Sequence, residues 1–257
     1  MRPRRRAPCL PLSALLLAGL GTGLVGCGGD GGDDELVVSA AASLSEALPA
    51  YAESGGYEGA RFSFAGSDEL AAQIRQGAAP DVYAAANTSL PEELHAEGRL
   101  ERPVAFATNR LVLAVPAGSD SVRSLTDLSE PDVRIAIGDE NVPVGIYTRE
   151  VLGRLGAAES EAILANTRSN EPDVLGIVAK LTQGAVDAGF VYRSDVSATE
   201  DRLEAIALPA RLRPEVAYGA GVVTDAEHPA EAAEFVDGLL SADGQRALRE
   251  AGFLPPP

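Results

Sequence analysis

With 38 acidic side chains against 21 basic ones, this 257-residue chain carries a formal net charge of −17, which argues against nucleic acid or anionic lipid as its partner. It has no tryptophan and few aromatic residues, so its core must be built from Ala, Val, Leu and Ile, and its length suffices for one large domain or two lobes. The two cysteines, Cys9 and Cys27, both lie near the start, which leaves the body without a disulfide pair or a cysteine metal site.

Arg2 and the run Arg4 to Arg6 form a basic opening, followed by a Leu/Ala-rich stretch from Leu10 to Leu20. That stretch is too short and too interrupted by glycine to span a membrane, and reads as the apolar region of an export signal. It ends in Leu24-Val25-Gly26-Cys27, which resembles the lipobox of bacterial lipoproteins; the resemblance implies a signal peptide over 1–26 and a lipidated Cys27. A flexible, solvated Gly/Asp tether then runs through residue 35. Removal of the signal leaves 17 basic against 38 acidic side chains, so any anion bound by the body must be held by local donors against a net charge of −21.

Leu36 to Ala42 passes from β-branched into small residues and reads as a buried strand, with Ser43 where the following helix begins. Ser43-Leu-Ser-Glu46 fits a capping box, and a helix N-terminus of that kind is also a ready anion site. Ala60 to Phe64 alternates as a second strand, and Ala65-Gly66-Ser67 leads into an amphipathic helix over 68–75. Asp81 to Ala86 is a third strand and Leu111 to Val115 a fourth. Val133 to Ile137 is followed by a loop containing Pro143 and a helix from about Ile146 to Leu155; a further helix opens at Asp173-Val174 and runs to about Thr182. Ala188 to Tyr192, Leu203 to Leu208 and Val216 to Val223 read as strands, Arg193 to Asp195 as a turn, and Pro229 to Ala251 as helical. Strands alternating with helices indicate a parallel α/β arrangement, whose ligands sit outside the carboxyl ends of the strands.

Signatures of catalysis are sparse. His95 and His228 each stand alone in polar surroundings, outside any metal-ligand spacing, and read as surface residues. Gly66-Ser67-Asp68 lacks the second glycine of a nucleophile elbow, and Lys180, the single lysine, belongs to no phosphate-binding loop. What remains is a set of uncharged donors at the ends of elements.

Ala41-Ala42-Ser43-Leu44, Phe64-Ala-Gly-Ser67, Ala79-Pro80-Asp81-Val82, Gly138 to Tyr147 and Val191-Tyr192-x-Ser194-Asp195 follow one another in an order that resembles the periplasmic molybdate-binding proteins of ABC importers. The resemblance covers about Leu36 to Phe253. It implies a two-lobed type II periplasmic-binding fold, with mixed sheets flanked by helices and a cleft between the lobes. Residues 36–110 and 219–257 would form one lobe and 111–218 the other. It further implies an oxyanion held by the hydroxyls of Ser43, Ser67 and Tyr192 and the backbone N–H groups of Val144 and Val174. No resident cofactor or bare metal ion is implied. The expected ligand is molybdate or tungstate and the expected partners are a membrane permease and its ATPase, with the protein a monomer anchored outside the membrane by its lipid. Asp68 and Asp173 adjoin these positions, and a carboxylate facing the anion would favour a protonated species. The alternatives are a binding protein for sulfate or another oxyanion, a secreted hydrolase using Ser67, and a sensor or adhesin that keeps the fold.

Overall fold

Small and β-branched residues build the strands, and the chain turns into helices where those runs give out. The computed structural model describes residues 35–257; the expected signal, Cys27 and all but the last residue of the tether lie outside them. The first half comprises β1 (Val37–Ala41), α1 (Ala47–Gly55), β2 (Arg61–Ala65), α2 (Ser67–Arg75), β3 (Val82–Ala85), α3 (Ser89–Ala96) and β4 (Val104–Asn109). Next come β5 (Leu111–Pro116), β6 (Ile135–Gly138), α4 (Pro143–Gly153), α5 (Ala157–Ala165), β7 (Thr167–Glu171), α6 (Val174–Thr182), β8 (Ala188–Tyr192), α7 (Arg193–Ser197) and β9 (Leu203–Ala207). The chain finishes with β10 (Val216–Val222), α8 (Pro229–Gly238) and α9 (Ala242–Glu250).

These strands form two five-stranded mixed sheets, in the orders β2-β1-β3-β10-β4 and β7-β6-β8-β5-β9. The sheets share one plan. In each, three strands run parallel, and an antiparallel strand lies between the last of them and the outer strand: β10 in the first sheet, β5 in the second. β3 and β8, the middle strands, are buried along their whole length, as parallel strands covered on both faces require.

The chain passes between the sheets twice, at Asn109–Arg110 and between Ala207 and Val216. The second crossing precedes the expected boundary. Val216, Ala217 and Tyr218, assigned from sequence to the second lobe, pair with Asn109, Thr108 and Ala107 in the first sheet. Val216 and Tyr218 are both buried there, so pairing and burial carry the whole strand into one lobe.

Three local expectations shift. α4 starts at Pro143, earlier than Ile146, because proline fits the first helical turn, where its missing N–H costs nothing. Arg193–Ser197 is a short helix in place of a turn. The C-terminal helical run is broken in two, with Ser241 accepting from the Gly244 N–H to start α9.

One buried carboxylate ties the first sheet together. Asp81, 1% exposed at the head of β3, accepts from Val37 N at 2.8 Å and His228 N at 2.7 Å, with His228 Nδ1 at 3.3 Å. His228 is therefore a partly buried pin at the start of α8 and not the surface residue expected. Burial alone would raise the Asp81 pKa, but the Val37 and His228 N–H groups and the His228 ring together hold it below the usual carboxylate range. A carboxylate with a lowered folded pKa contributes stability that is present above its unfolded value and lost as pH falls through the folded one. Asp81→Ala is expected to cost about 2–4 kcal/mol at pH 7. In urea unfolding its deficit relative to wild type should shrink as pH falls from the ordinary carboxylate range through the lowered folded value.

Candidate functional site

One cavity lies at the carboxyl ends of all six parallel strands. Ala41 ends β1, Ala65 ends β2 and Ala86 follows β3; Val142 to Val144 follow β6, Asp173 and Val174 follow β7, and Tyr192 ends β8. This is where open α/β sheets place ligands. The space is small, about 20 Å³ on a measure by which a single water needs roughly 10–15 Å³. The five residues expected from sequence, Ser43, Ser67, Val144, Val174 and Tyr192, all line it. The first two come from one sheet and the other three from its partner.

Three helices aim their N-termini at this point. Ser67 opens α2, Val174 opens α6, and Val144 is the second residue of α4. The first N–H groups of a helix have no acceptor within it, so the Val144 and Val174 amides are available to a ligand, with the partial positive charge of the helix behind them. Ala86 N–H donates to Ser67 Oγ at 3.1 Å, which fills an acceptor site of that oxygen and leaves its proton to be directed elsewhere. Tyr83 Oη donates to the Ser67 carbonyl at 2.7 Å and fixes the residue from below.

Ser43 departs from the capping role expected of it. It belongs to a short 3-10 turn, Ala42–Leu44, and no side-chain hydrogen bond caps either that turn or α1, so the capping box is not formed. Its hydroxyl lies 2.9 Å from Tyr218 Oη instead. Sequence reasoning could not supply Tyr218, which lies 175 residues away and enters through β10.

Tyr192 has the least satisfied group in the cavity. Its hydroxyl is buried and has no hydrogen-bond partner among the described residues. Such a group is costly unless something else occupies the site. Burial, reinforced by Tyr218, Tyr147 and Asp195, raises its pKa well above the ordinary tyrosine value, so it remains a protonated donor.

The two carboxylates in question separate. Asp173 lines the cavity, but its Oδ1 accepts from Gly176 N–H at 2.9 Å and caps α6. Asp68 belongs to the neighbouring rim with Asp139, Glu140 and Arg149, and its Oδ1 is buried without a partner among the described residues. A third carboxyl, Asp195, lies behind Tyr192 and accepts from the Tyr192 N–H at 2.8 Å. Burial pushes its pKa up to about 8 against that hydrogen bond, with Asp173 adding to the rise, so Asp195 is neutral at neutral pH. The Ser67 hydroxyl has a backbone amide and no imidazole as its partner. Neither histidine lines the cavity: His95 bonds the Leu100 carbonyl, and His228 meets Asp81. That geometry does not activate a serine nucleophile. Among the described residues no group of three or more His, Cys, Asp or Glu side chains is placed to hold a metal ion.

A donor-lined cavity divided between two similar α/β halves defines a protein that captures a small ligand between lobes. The chain belongs to the bacterial extracellular solute-binding protein family, whose model matches residues 36–254. This is a solute-binding and not an enzyme family. The chain is 33% identical to the molybdate-binding protein ModA of Mycobacterium tuberculosis, over 95% of this chain and 96% of the relative. It is 29% identical to the substrate-binding domain of a putative molybdenum ABC transporter from Clostridium difficile, with a TM-score of 0.64 over 86% of this chain and 98% of that one. The periplasmic molybdate-binding protein of Azotobacter vinelandii shares its fold, with a TM-score of 0.77 over 86% of this chain and all of that one, at 22% identity.

Two expectations follow from the cavity walls. A Cβ on Gly66 would lie 2.5 Å from the Pro172 carbonyl of the opposing lobe, so Gly66→Ala should hold the lobes apart. It is expected to weaken ligand binding at least tenfold with little change in melting temperature, and X-ray scattering should show the ligand-saturated variant more open than wild type. Asp195 has a folded pKa above its unfolded one, so its contribution to stability is complete below about pH 4 and is lost as pH rises toward 8. Asp195→Asn should therefore flatten that part of the stability profile measured by urea unfolding.

Proposed function

We propose that this protein captures molybdate or tungstate outside the cell membrane and delivers it to the permease of an ABC importer driven by a cytoplasmic ATPase. Ser43, Ser67 and Tyr192 give O–H donors and Val144 and Val174 give N–H donors, gripping one oxyanion between the lobes. The observation that carries this reading is the buried, unpartnered Tyr192 hydroxyl at a cavity on which three helix N-termini converge. The names of the relatives support the choice of ligand. In this reading the protein acts as a monomer, tethered by a lipid on Cys27 to the outer face of the membrane.

A dianion leaving water needs many donors, because burying an uncompensated charge is costly. Each hydrogen bond to a charged group contributes roughly 1.5–3 kcal/mol, so five donors offset dehydration without any lysine or arginine. No cationic side chain lines the cavity, and none is required where helix N-termini supply the positive end of a dipole. The one carboxylate on the wall, Asp173, has an oxygen committed to its own helix, which leaves the donors in the majority. A fully deprotonated oxyanion matches such a surface better than hydrogen phosphate, whose own O–H would need an acceptor.

Titration calorimetry of residues 35–257 with molybdate, tungstate, sulfate and phosphate tests the assignment. Molybdate and tungstate are expected to bind far more tightly than phosphate; no binding of any oxyanion would overturn it. Tyr192→Phe, which deletes one charged hydrogen bond, should weaken molybdate binding by about tenfold to a hundredfold.

A further inference from the structure

The hydrogen bond between Ser43 and Tyr218 has a direction, and its surroundings fix it. Asn109 Oδ1 accepts from the Arg110 N–H at 2.8 Å, so the oxygen of that amide faces the backbone and its nitrogen faces the other way. Asn109 Nδ2 then donates to Ser194 Oγ at 2.9 Å, so this amide, whose oxygen serves the backbone, offers Tyr218 no acceptor. Tyr218 is wholly buried, and its proton needs an acceptor. Asn109 Nδ2 cannot take that proton. Ser43 Oγ, at 2.9 Å, can.

We infer that Tyr218 is a positioning residue that sets the proton of Ser43: Tyr218 donates to Ser43, and the Ser43 O–H is thereby left to point into the cavity. This rests on the reading of Ser43 as an oxyanion donor. Asn109, the last residue of β4 at the first crossing between sheets, holds Ser194 of α7 in the second lobe by a bond of its own. Tyr218 stands on β10, just past the second crossing. Its ring is clamped edge-on by Phe106, Tyr192 and Phe253, with centroids 5.2–6.2 Å apart, so the hydroxyl has little freedom to seek another partner. Ser43 and Ser67 thus reach the same condition by different means. Each accepts a hydrogen bond from the protein, a backbone amide for Ser67 and a tyrosine for Ser43, and each keeps its proton for the ligand.

Molybdate calorimetry on residues 35–257 distinguishes this from a merely structural role. Tyr218→Phe keeps the ring and removes the donor, and is expected to weaken molybdate binding about tenfold. Combined with Ser43→Ala it should add no further loss, because it acts through Ser43; losses that multiply would overturn the inference. Thermal melts identify any variant that fails to fold, and the conservative Tyr218→Phe keeps the cycle interpretable. If wild type binds no oxyanion, the functional reading fails; if wild type binds and the losses multiply, only the proton assignment fails.

Discussion

An anion can leave water only for a place that returns the hydrogen bonds it gives up, and under the proposed function that constraint organises this molecule. The body is strongly acidic, so long-range electrostatics oppose the ligand. Short-range dipoles must prevail, and they do so by number and direction. Each sheet points the carboxyl ends of three parallel strands at the same spot, and the helices that follow deliver amides already aligned. The folding of the two sheets and the making of the site are therefore one event.

The antiparallel strands β5 and β10 complete this arrangement without lining the cavity themselves. Both follow a crossing, and each enters its sheet beside the innermost parallel strand. β10 brings Tyr218 beneath Ser43, and β4, its partner in the sheet, ends at Asn109, which bonds Ser194 of the second half. The polar groups behind the cavity thus sit where the two halves are joined. The Phe253 ring from the C-terminal segment packs on Tyr218, and Leu254 bridges to Thr108, so the end of the chain closes over the same junction.

Much of this was legible in the sequence, for reasons that differ from residue to residue. Ser67 and Tyr192 were readable because each sits where a strand gives way to a helix, a change of period visible within a few residues. Val144 and Val174 contribute backbone, so proline and acidic neighbours marked the helix ends without any requirement on the side chain. Ser43 lines the cavity, but the capping box that its local spacing suggests is not formed, because its hydroxyl meets a partner 175 residues distant that no local pattern contains. Tyr218 escapes local reading for the same reason. The boundary at Val216 moved because an apolar strand can be recognised locally, whereas the sheet it joins is a matter of tertiary pairing. His228 looked like a surface residue because Asp81, its partner, comes from another element.

The division of donors between the lobes has a mechanical consequence. Ser43 and Ser67 follow strands of the first sheet, while Val144, Val174 and Tyr192 belong with the second. If these groups grip an oxyanion as proposed, a small rotation between the sheets would strip the ion of nearly half its partners at once, because hydrogen bonds weaken steeply over a fraction of their length. No residue need change its charge and no covalent step is required. Whatever machine prises the lobes apart has only to supply torque, and the cargo is left half-solvated beside an acidic surface that repels it.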